Sequence, residues 1–284
     1  MKFTHGSLVA ATVALVGTAF GLGAPRAHAG ARGLTIKGSD TMVILGQRWA
    51  EAYMNAYPAS TIQVTGGGSG VGIAALINGT TDICAASRPM KDDEKLKLRD
   101  RYQTTGTEIS VAKDGLTIYL NEANAVKELT VEQVRDVYTG KVTNWSQVGG
   151  RDAMITLYGR ENSSGTYVFF KDNVLLGKDF SARCQTLPGT ASVANAVAKD
   201  ANGIGYGGAA YAKGVRDCGV KKDAASAAVL PTLETVENGT YPLWRNLFFY
   251  TRTKPSGDAK AFIDWALSEA GQKVVSEVGY FPVK

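Results

Sequence analysis

The sequence predicts an α/β protein in two lobes, and three observations carry that prediction. Strand-like and helix-like segments alternate almost throughout. Four short strands end in loops rich in Ser, Thr and Gly, three of which lead directly into a helix. Two long extended runs break the alternation and read as crossings between lobes. Each lobe is expected to hold a mostly parallel sheet flanked by helices, with the two extended runs as hinge strands. A single continuous sheet is the alternative. No internal repeat or low-complexity tract is evident.

The first residues read as a secretory signal over 1–29. Lys2 is followed by an apolar stretch from Leu8 to Leu22, then by Ala27-His28-Ala29 as a small-x-small cleavage site. The apolar stretch is shorter than the roughly 20 residues a membrane span needs. A retained anchor is the alternative. No Cys lies near the cleavage site, so no lipid anchor is expected, and the protein should be periplasmic. What remains is long enough for two modest domains or one large one.

Both histidines, His5 and His28, fall in the leader. Without them the mature chain can build neither a Ser-His-Asp nor a Cys-His nucleophile system, nor a His-ligated zinc site. The leader also takes Lys2 and Arg26 from a chain of formal charge +5. The remaining balance is mildly basic, enough to attract anions but too dilute for a nucleic-acid surface.

The elements follow in order. Leu34 to Lys37 is a strand leading into Gly38-Ser39-Asp40-Thr41. The first helix has Met42, Leu45, Trp49, Ala52 or Tyr53, and Ala56 at helical spacing, and Pro58 stops it. Thr61 to Thr65 runs into the loop Gly66-Gly67-Gly68-Ser69-Gly70, and a second helix begins near Gly70 and reaches Gly79. Asp82 to Ala86 is an apolar strand ending on Ser87-Arg88, with a solvated helix over Asp92 to Tyr102. Glu108 to Leu120 is the first crossing, interrupted by Asp114-Gly115. Met154 to Gly159 is a strand running into Arg160-Glu161-Asn162-Ser163-Ser164-Gly165-Thr166 and an amphipathic run, Tyr167 to Leu176. A polar loop from Lys221 to Gly239 precedes the second crossing, Tyr241 to Thr251, and a last long helix spans about Asp258 to Val278. The simplest partition puts 30–112 and 220–284 in one lobe and 113–219 in the other.

The loops carry the chemistry. Backbone N–H groups at a helix start have no intrahelical partner, and the helix dipole is positive there, so such a place suits an anion. The Gly66–Gly72 loop lacks the Gly-Lys-Ser/Thr of a Walker loop, and no G-x-G-x-x-G frame fits it. A nucleophile elbow would need Gly where Val71 stands, and a base besides. What survives is close backbone approach to a ligand with Ser69 as donor, or else a flexible turn. Pro89 biases Arg88 towards an extended conformation; Arg88 serves the site or pairs with the acidic run Asp92, Asp93 and Glu94. Arg160 is the strongest single candidate, because a planar guanidinium can grip two oxygens of a tetrahedral anion at once. Ser163, Ser164 and Thr166 add hydroxyls, one of which would serve as N-cap. Together the four loops point to one small oxyanion held by many hydrogen bonds.

Three cysteines cannot all pair within one chain. Cys84 lies in the apolar strand and reads as a small buried thiol. Cys184 and Cys218 stand in polar surroundings of an exported protein, where a disulfide between them is one of two open readings.

Several of these segments resemble the periplasmic phosphate-binding proteins of ABC phosphate transporters: Gly38-Ser39-Asp40-Thr41-Met42, the Gly66–Gly72 loop, Asp82 to Met90, and Arg160 to Phe170. Tyr138-Thr139-Gly140-Lys141-Val142-Thr143-Asn144-Trp145 and Tyr241-Pro242-Leu243-Trp244-Arg245 recur there too. The likeness covers nearly all of 34–284. It implies a two-lobed periplasmic-binding-protein fold with inorganic phosphate held in the interlobe cleft. The implied contacts are Ser39, Asp40, Thr41, Ser69, Arg160, Ser164, Gly165 and Thr166, and the reading of the loops themselves adds Gly70, Ser87, Arg88 and Ser163. A well-known branch of the family places an aspartate after the third strand as acceptor for the phosphate proton. This chain has Ser87 there, followed by Arg88, which resembles a different branch, and Asp40 could supply the missing acceptor. A carboxylate in that place would reject fully ionised anions such as sulfate, because an unmatched buried charge costs several kcal/mol.

The resulting expectation is a monomeric exported receptor that captures phosphate and delivers it to a membrane-embedded ABC permease. It needs no cofactor, metal or catalytic residue and has no nucleic-acid partner. Two alternatives stay open: a receptor for another oxyanion or a phosphate ester, and an exported phosphatase using the same loops.

Overall fold

The structure, a computed structural model, describes Met1, Lys2 and residues 33–283. Apart from Met1 and Lys2, the expected leader lies outside the described residues, including its apolar stretch, cleavage site and histidines.

The elements alternate as the sequence requires. They run β1 (Leu34–Gly38), a 3-10 turn at Asp40–Met42, α1 (Val43–Ala56), β2 (Ile62–Thr65), α2 (Ser69–Asn78), β3 (Ile83–Ala86) and α3 (Asp92–Tyr102). The long β4 (Thr107–Leu120) is followed by β5 (Glu128–Thr130), α4 (Val131–Tyr138), β6 (Thr156–Arg160), α5 (Gly165–Asn173), β7 (Gln185–Leu187) and α6 (Thr190–Lys199). The chain ends with β8 (Gly203–Gly208), β9 (Arg216–Lys221), α7 (Leu233–Glu237), β10 (Trp244–Thr251), α8 (Gly257–Ala266) and α9 (Glu269–Val278).

The strands join in the order β2-β1-β3-β10-β4-β8-β6-β7, with β9 pairing both β4 and β5. The expectation of mostly parallel sheets is corrected here: the sheet is mixed. Pairings β1–β2, β1–β3, β5–β9, β6–β7 and β6–β8 are parallel, and among these described strands each antiparallel ladder involves β4 or β10. These two are the extended runs read as crossings. A strand that merely traverses needs no helical crossover back to its neighbour, so it is free to pair antiparallel. β4 changes partner midway: residues up to Gly115 pair with β10, and Leu116 to Leu120 pair with β8.

Alternation along the central strands builds the core. Ile83 and Ala85 of β3 and Leu247 and Phe249 of β10 face a cluster with Ile36, Leu45, Trp49 and Phe262. Their sequence neighbours Cys84, Ala86, Phe248 and Tyr250 face a second cluster with Ile73, Leu76 and Leu98, beneath α2 and α3. Both faces are covered, so Ile83–Ala86 and Leu247–Tyr250 are apolar without interruption. A further cluster gathers Ile118, Val134, Tyr138, Trp145, Phe170, Tyr206 and Val220. Val236, Tyr241 and Leu243 also belong to it, and the Tyr241 hydroxyl donates to Leu116 O at 2.7 Å.

Two local expectations change. The last helix is two helices, α8 and α9, broken at Leu267–Ser268. Ser268 Oγ accepts from Gly271 N–H, the hydroxyl cap that restarts a helix. Cys184 and Cys218 are both free thiols rather than a disulfide. Cys218 is buried in β9 within the third cluster, and Cys184 packs against Gly159 of β6.

Candidate functional site

Three chain segments turn from strand to helix at one place. β1 ends on Gly38, and Ser39 precedes the turn at Asp40; Gly68 precedes α2; Ser164 precedes α5. Each start is fixed by local chemistry. Ser164 Oγ accepts from the N–H groups of both Thr166 and Tyr167, so it is the N-cap the sequence called for, and its own O–H stays free to donate. Gly68 sits at φ 97°, and a Cβ there would lie 2.5 Å from Ser163 O, so only glycine fits. The Gly70 N–H donates to that same Ser163 carbonyl at 2.9 Å, stitching the start of α2 to the loop before α5.

The side chains then converge. Ser39 Oγ donates to Ser87 Oγ at 2.8 Å, Ser69 Oγ lies 3.4 Å from Ser87 Oγ, and the Ser87 N–H donates to Ser69 Oγ at 3.0 Å. Gly165 caps this triangle of hydroxyls so closely that a Cβ there would fall 2.2 Å from Ser69 Oγ and 2.7 Å from Ser87 Oγ. Beside it, the hydroxyls of Thr41 and Thr166 stand 2.8 Å apart. Ser39, Thr41, Ser69, Ser87, Ser164 and Thr166 are all buried. Buried hydroxyls in such number, next to unpaired helix N–H groups, offer a dry set of donors for an anion.

The charged groups differ in part from expectation. Arg160, buried to 2 % exposure, donates Nη2–H to Asp40 Oδ2 at 2.7 Å and to Glu161 Oε1 at 2.9 Å. Its Nη1–H goes to Thr190 Oγ1 at 2.8 Å and its Nε–H to Glu161 Oε2 at 3.2 Å. Most of the fork expected to grip the anion is thus engaged by protein, leaving one Nη1–H uncommitted among the described residues. Burial alone would raise the Glu161 carboxyl, but Arg160 outweighs it and holds Glu161 below the usual carboxylate range.

Asp40 is braced at both oxygens, since Oδ1 accepts the Gly67 N–H at 2.8 Å, and the Tyr211 hydroxyl donates to Asp40 O at 2.7 Å. Arg88 follows the alternative the sequence left open and pairs with the acidic run. Its Nη1 and Nη2 donate to Glu94 Oε2 and Oε1, each at 2.7 Å. Burial would push Arg88 down, and Glu94 more than offsets that. Glu94 thus matches its charge locally, while Arg88 Nε is buried with no hydrogen-bond partner among the described residues. Its Nη2 still lies 3.9 Å from where a Gly70 Cβ would stand, so Arg88 borders the site.

A family model, described as PBP superfamily domain, matches residues 24–270. The phosphate-binding protein PstS of Pseudomonas aeruginosa is 35% identical over 267 residues, covering 88% of this chain and 83% of that protein. The phosphate-binding protein PstS of Staphylococcus epidermidis is 34% identical, over 86% of this chain and 77% of that one. The chain belongs to the PstS-type phosphate-binding proteins of the PBP superfamily. Among solved structures, a substrate-binding protein from Clostridium perfringens with bound phosphate superposes with TM-score 0.80 at 31% identity, covering 89% of this chain and 100% of that one. An ABC-type phosphate transport receptor from Vibrio cholerae gives 0.70 at 30% identity, over 87% of this chain and 99% of that one.

In this PBP-superfamily chain the residues that sequence reasoning missed lie under the hydroxyls. Arg245 and Asp114 form a buried ion pair, with Nη2···Oδ2 2.8 Å. Thr190 and Tyr211 were also unforeseen as partners. A signal for Arg245 did exist: it is a lone charge in an otherwise apolar extended run. A buried strand tolerates such a charge only when an opposite one meets it.

Proposed function

We propose that this chain is an extracytoplasmic receptor that binds inorganic phosphate and hands it, unchanged, to a membrane-embedded ABC permease. The phosphate sits where the starts of α2 and α5 meet the turn after β1. Hydroxyls of Ser39, Thr41, Ser69, Ser87, Ser164 and Thr166 and the Gly165 N–H donate to it, Gly70 lets the backbone approach while its own N–H holds Ser163 O, and Arg160 supplies a matched positive charge. The two halves of the sheet act as lobes: 30–112 with the C-terminal segment on one side, 113–219 on the other, and β4 and β10 as hinge strands. Packing of Val236, Tyr241 and Leu243 with Tyr138 and Tyr206 favours assigning 220–243 to the second lobe, with the return crossing at β10 itself. The leader at 1–29 is removed on export, and the mature protein carries no lipid anchor.

One observation carries this reading: the 2.8 Å meeting of Thr41 and Thr166, 125 residues apart, the first in the 3-10 turn that leads into α1 and the second in the first turn of α5. Two helix starts that meet through hydroxyls frame a small polar site between segments that must part to admit a ligand. The test is titration calorimetry of phosphate-free protein with phosphate, repeated with sulfate, molybdate and a phosphate monoester. Tight phosphate binding with weak response to the others is expected; a preference for another oxyanion or for the ester would replace the ligand and keep the fold.

A further inference from the structure

Asp114 and Arg245 are cross-strand neighbours of β4 and β10, one pair before β4 leaves β10 and takes up β8. Both are buried. Arg245 donates Nε–H and Nη2–H to a single oxygen, Asp114 Oδ2, at 3.0 and 2.8 Å. The rest of the guanidinium reaches into the hydroxyl cluster. Nη2–H also donates to Thr166 Oγ1 at 2.9 Å, with Thr41 Oγ1 3.5 Å away, and Nη1–H donates to Ser87 O at 3.2 Å. The Phe169 ring covers it, 5.2 Å from Cζ to centroid. One side chain thus touches the turn after β1, the loop after β3 and the start of α5, from the point where the traversing strands part.

We infer that Arg245, anchored by Asp114, is a positioning residue that ties the strand crossing to the closed arrangement of the phosphate site. This rests on the phosphate-receptor reading above. The contacts to Ser87 and Thr41 stay with the β1–β3 side, whereas the bond to Thr166 exists only while α5 lies against that side. Opening therefore strips a buried guanidinium of one acceptor and bares part of the pair, which favours closure. The second Asp114 oxygen, Oδ1, is buried with no hydrogen-bond partner among the described residues, and burial pushes that carboxyl upward despite Arg245. Such a carboxylate depends on its one partner, so the pair holds its place rather than exchanging partners with water.

Arg245→Lys and Asp114→Asn test this by stopped-flow phosphate kinetics alongside wild type. A lysine keeps the charge but cannot bridge Asp114, Ser87 and Thr166 together. Expected is an association rate within about twofold of wild type and a dissociation rate raised about tenfold or more for Arg245→Lys, less for Asp114→Asn. Small-angle scattering should show phosphate-saturated Arg245→Lys as compact as wild type, but needing correspondingly more phosphate to become so. An unchanged dissociation rate, or a slowed association rate as the main effect, overturns the latch. Should Arg245→Lys not fold, the same criteria apply to Asp114→Asn alone. Wild-type protein that fails to bind phosphate would defeat the receptor reading itself, a result distinct from either.

Discussion

Asp40 and Arg160 are 120 residues apart in sequence and 2.7 Å apart in space, Oδ2 to Nη2, with the arginine side chain 1 % exposed. Arg160 also meets Glu161 and Thr190, so one guanidinium joins the turn after β1, the end of β6 and the start of α6. Its removal leaves two carboxylates facing each other without a cation.

Arg160→Ala is accordingly the most damaging single change at the site. Breaking a buried pair by removing one partner costs about 3–5 kcal/mol of stability, and loss of a charge-assisted bond to the anion, roughly 1.5–3 kcal/mol, lowers phosphate affinity by about tenfold to 150-fold. Arg160→Lys should recover only part of it, because a lysine cannot address Asp40, Glu161 and Thr190 at once. Calorimetry measures both, and wild-type affinity in either variant contradicts the placement of Arg160 at the site.

Gly165→Ala probes the same site without touching a charge. The added Cβ would sit 2.2 Å from Ser69 Oγ, so the start of α5 and that hydroxyl must move apart. Phosphate affinity should fall by about tenfold or more, since overpacking of this kind costs roughly 1–3 kcal/mol. The thermal unfolding midpoint should fall by about 2–10 °C, since each 1 kcal/mol of that cost shifts it by roughly 2–4 °C in a chain of this size. Full affinity in this variant would mean that the ligand does not depend on the Ser69–Gly165 approach.

How much of this was legible in the sequence varies with the physics involved. The helix starts were readable because Ser39, Ser69 and Ser164 announce themselves locally, as hydroxyls at strand ends before apolar periodic runs. α1 fell at the expected residues for the same reason, and α3 because its charged run Asp92–Tyr102 puts acidic residues in the first turn and basic ones in the last. The mixed sheet was not readable, because Glu108–Leu120 and Tyr241–Thr251 carry no local mark of which neighbour they will pair with. The fate of Arg88 was open for a different reason. Glu94, Asp92 and Asp93 all lie within reach in sequence, and only the turn at Pro89 and the first turn of α3 decide that Glu94 meets it. Arg245 escaped because its partner is 131 residues away. A pairing at that separation is a property of the assembled sheet.

The three thiols should be slow to react in native protein. Burial pushes Cys184 and Cys218 up to about 12 and Cys84 still higher. The thiolate is the reactive form, so a disulfide reagent at pH 8 should label native protein slowly and titrate three thiols once it is denatured without reductant. The same shifts set a stability window. An unfolded thiol titrates near 8.5 and the folded ones higher, so stability is whole below about pH 8.5 and falls as pH rises from there to about 12. Only one thiol in the denatured, unreduced titration would instead reveal a Cys184–Cys218 bond.

Asp40→Asn tests selectivity. Both carboxylate oxygens already accept one hydrogen bond, from Gly67 N–H and from Arg160 Nη2–H, and each retains a second lone pair. An ion that brings a proton, as phosphate does near neutral pH, can donate to one of those lone pairs. Sulfate has no proton to give, and its charge meets the carboxylate unrelieved. Asparagine removes that repulsion and can turn its N–H toward the anion. It also weakens the hold on Arg160, so phosphate affinity should drop, by about tenfold for the loss of one charge-assisted bond of roughly 1.5 kcal/mol. Sulfate should lose less, or gain. The sulfate-to-phosphate affinity ratio, measured in competition, should therefore rise by about tenfold or more. A ratio equal to that of wild type would show that discrimination lies elsewhere, in the hydroxyl geometry around Ser39, Ser69 and Ser87.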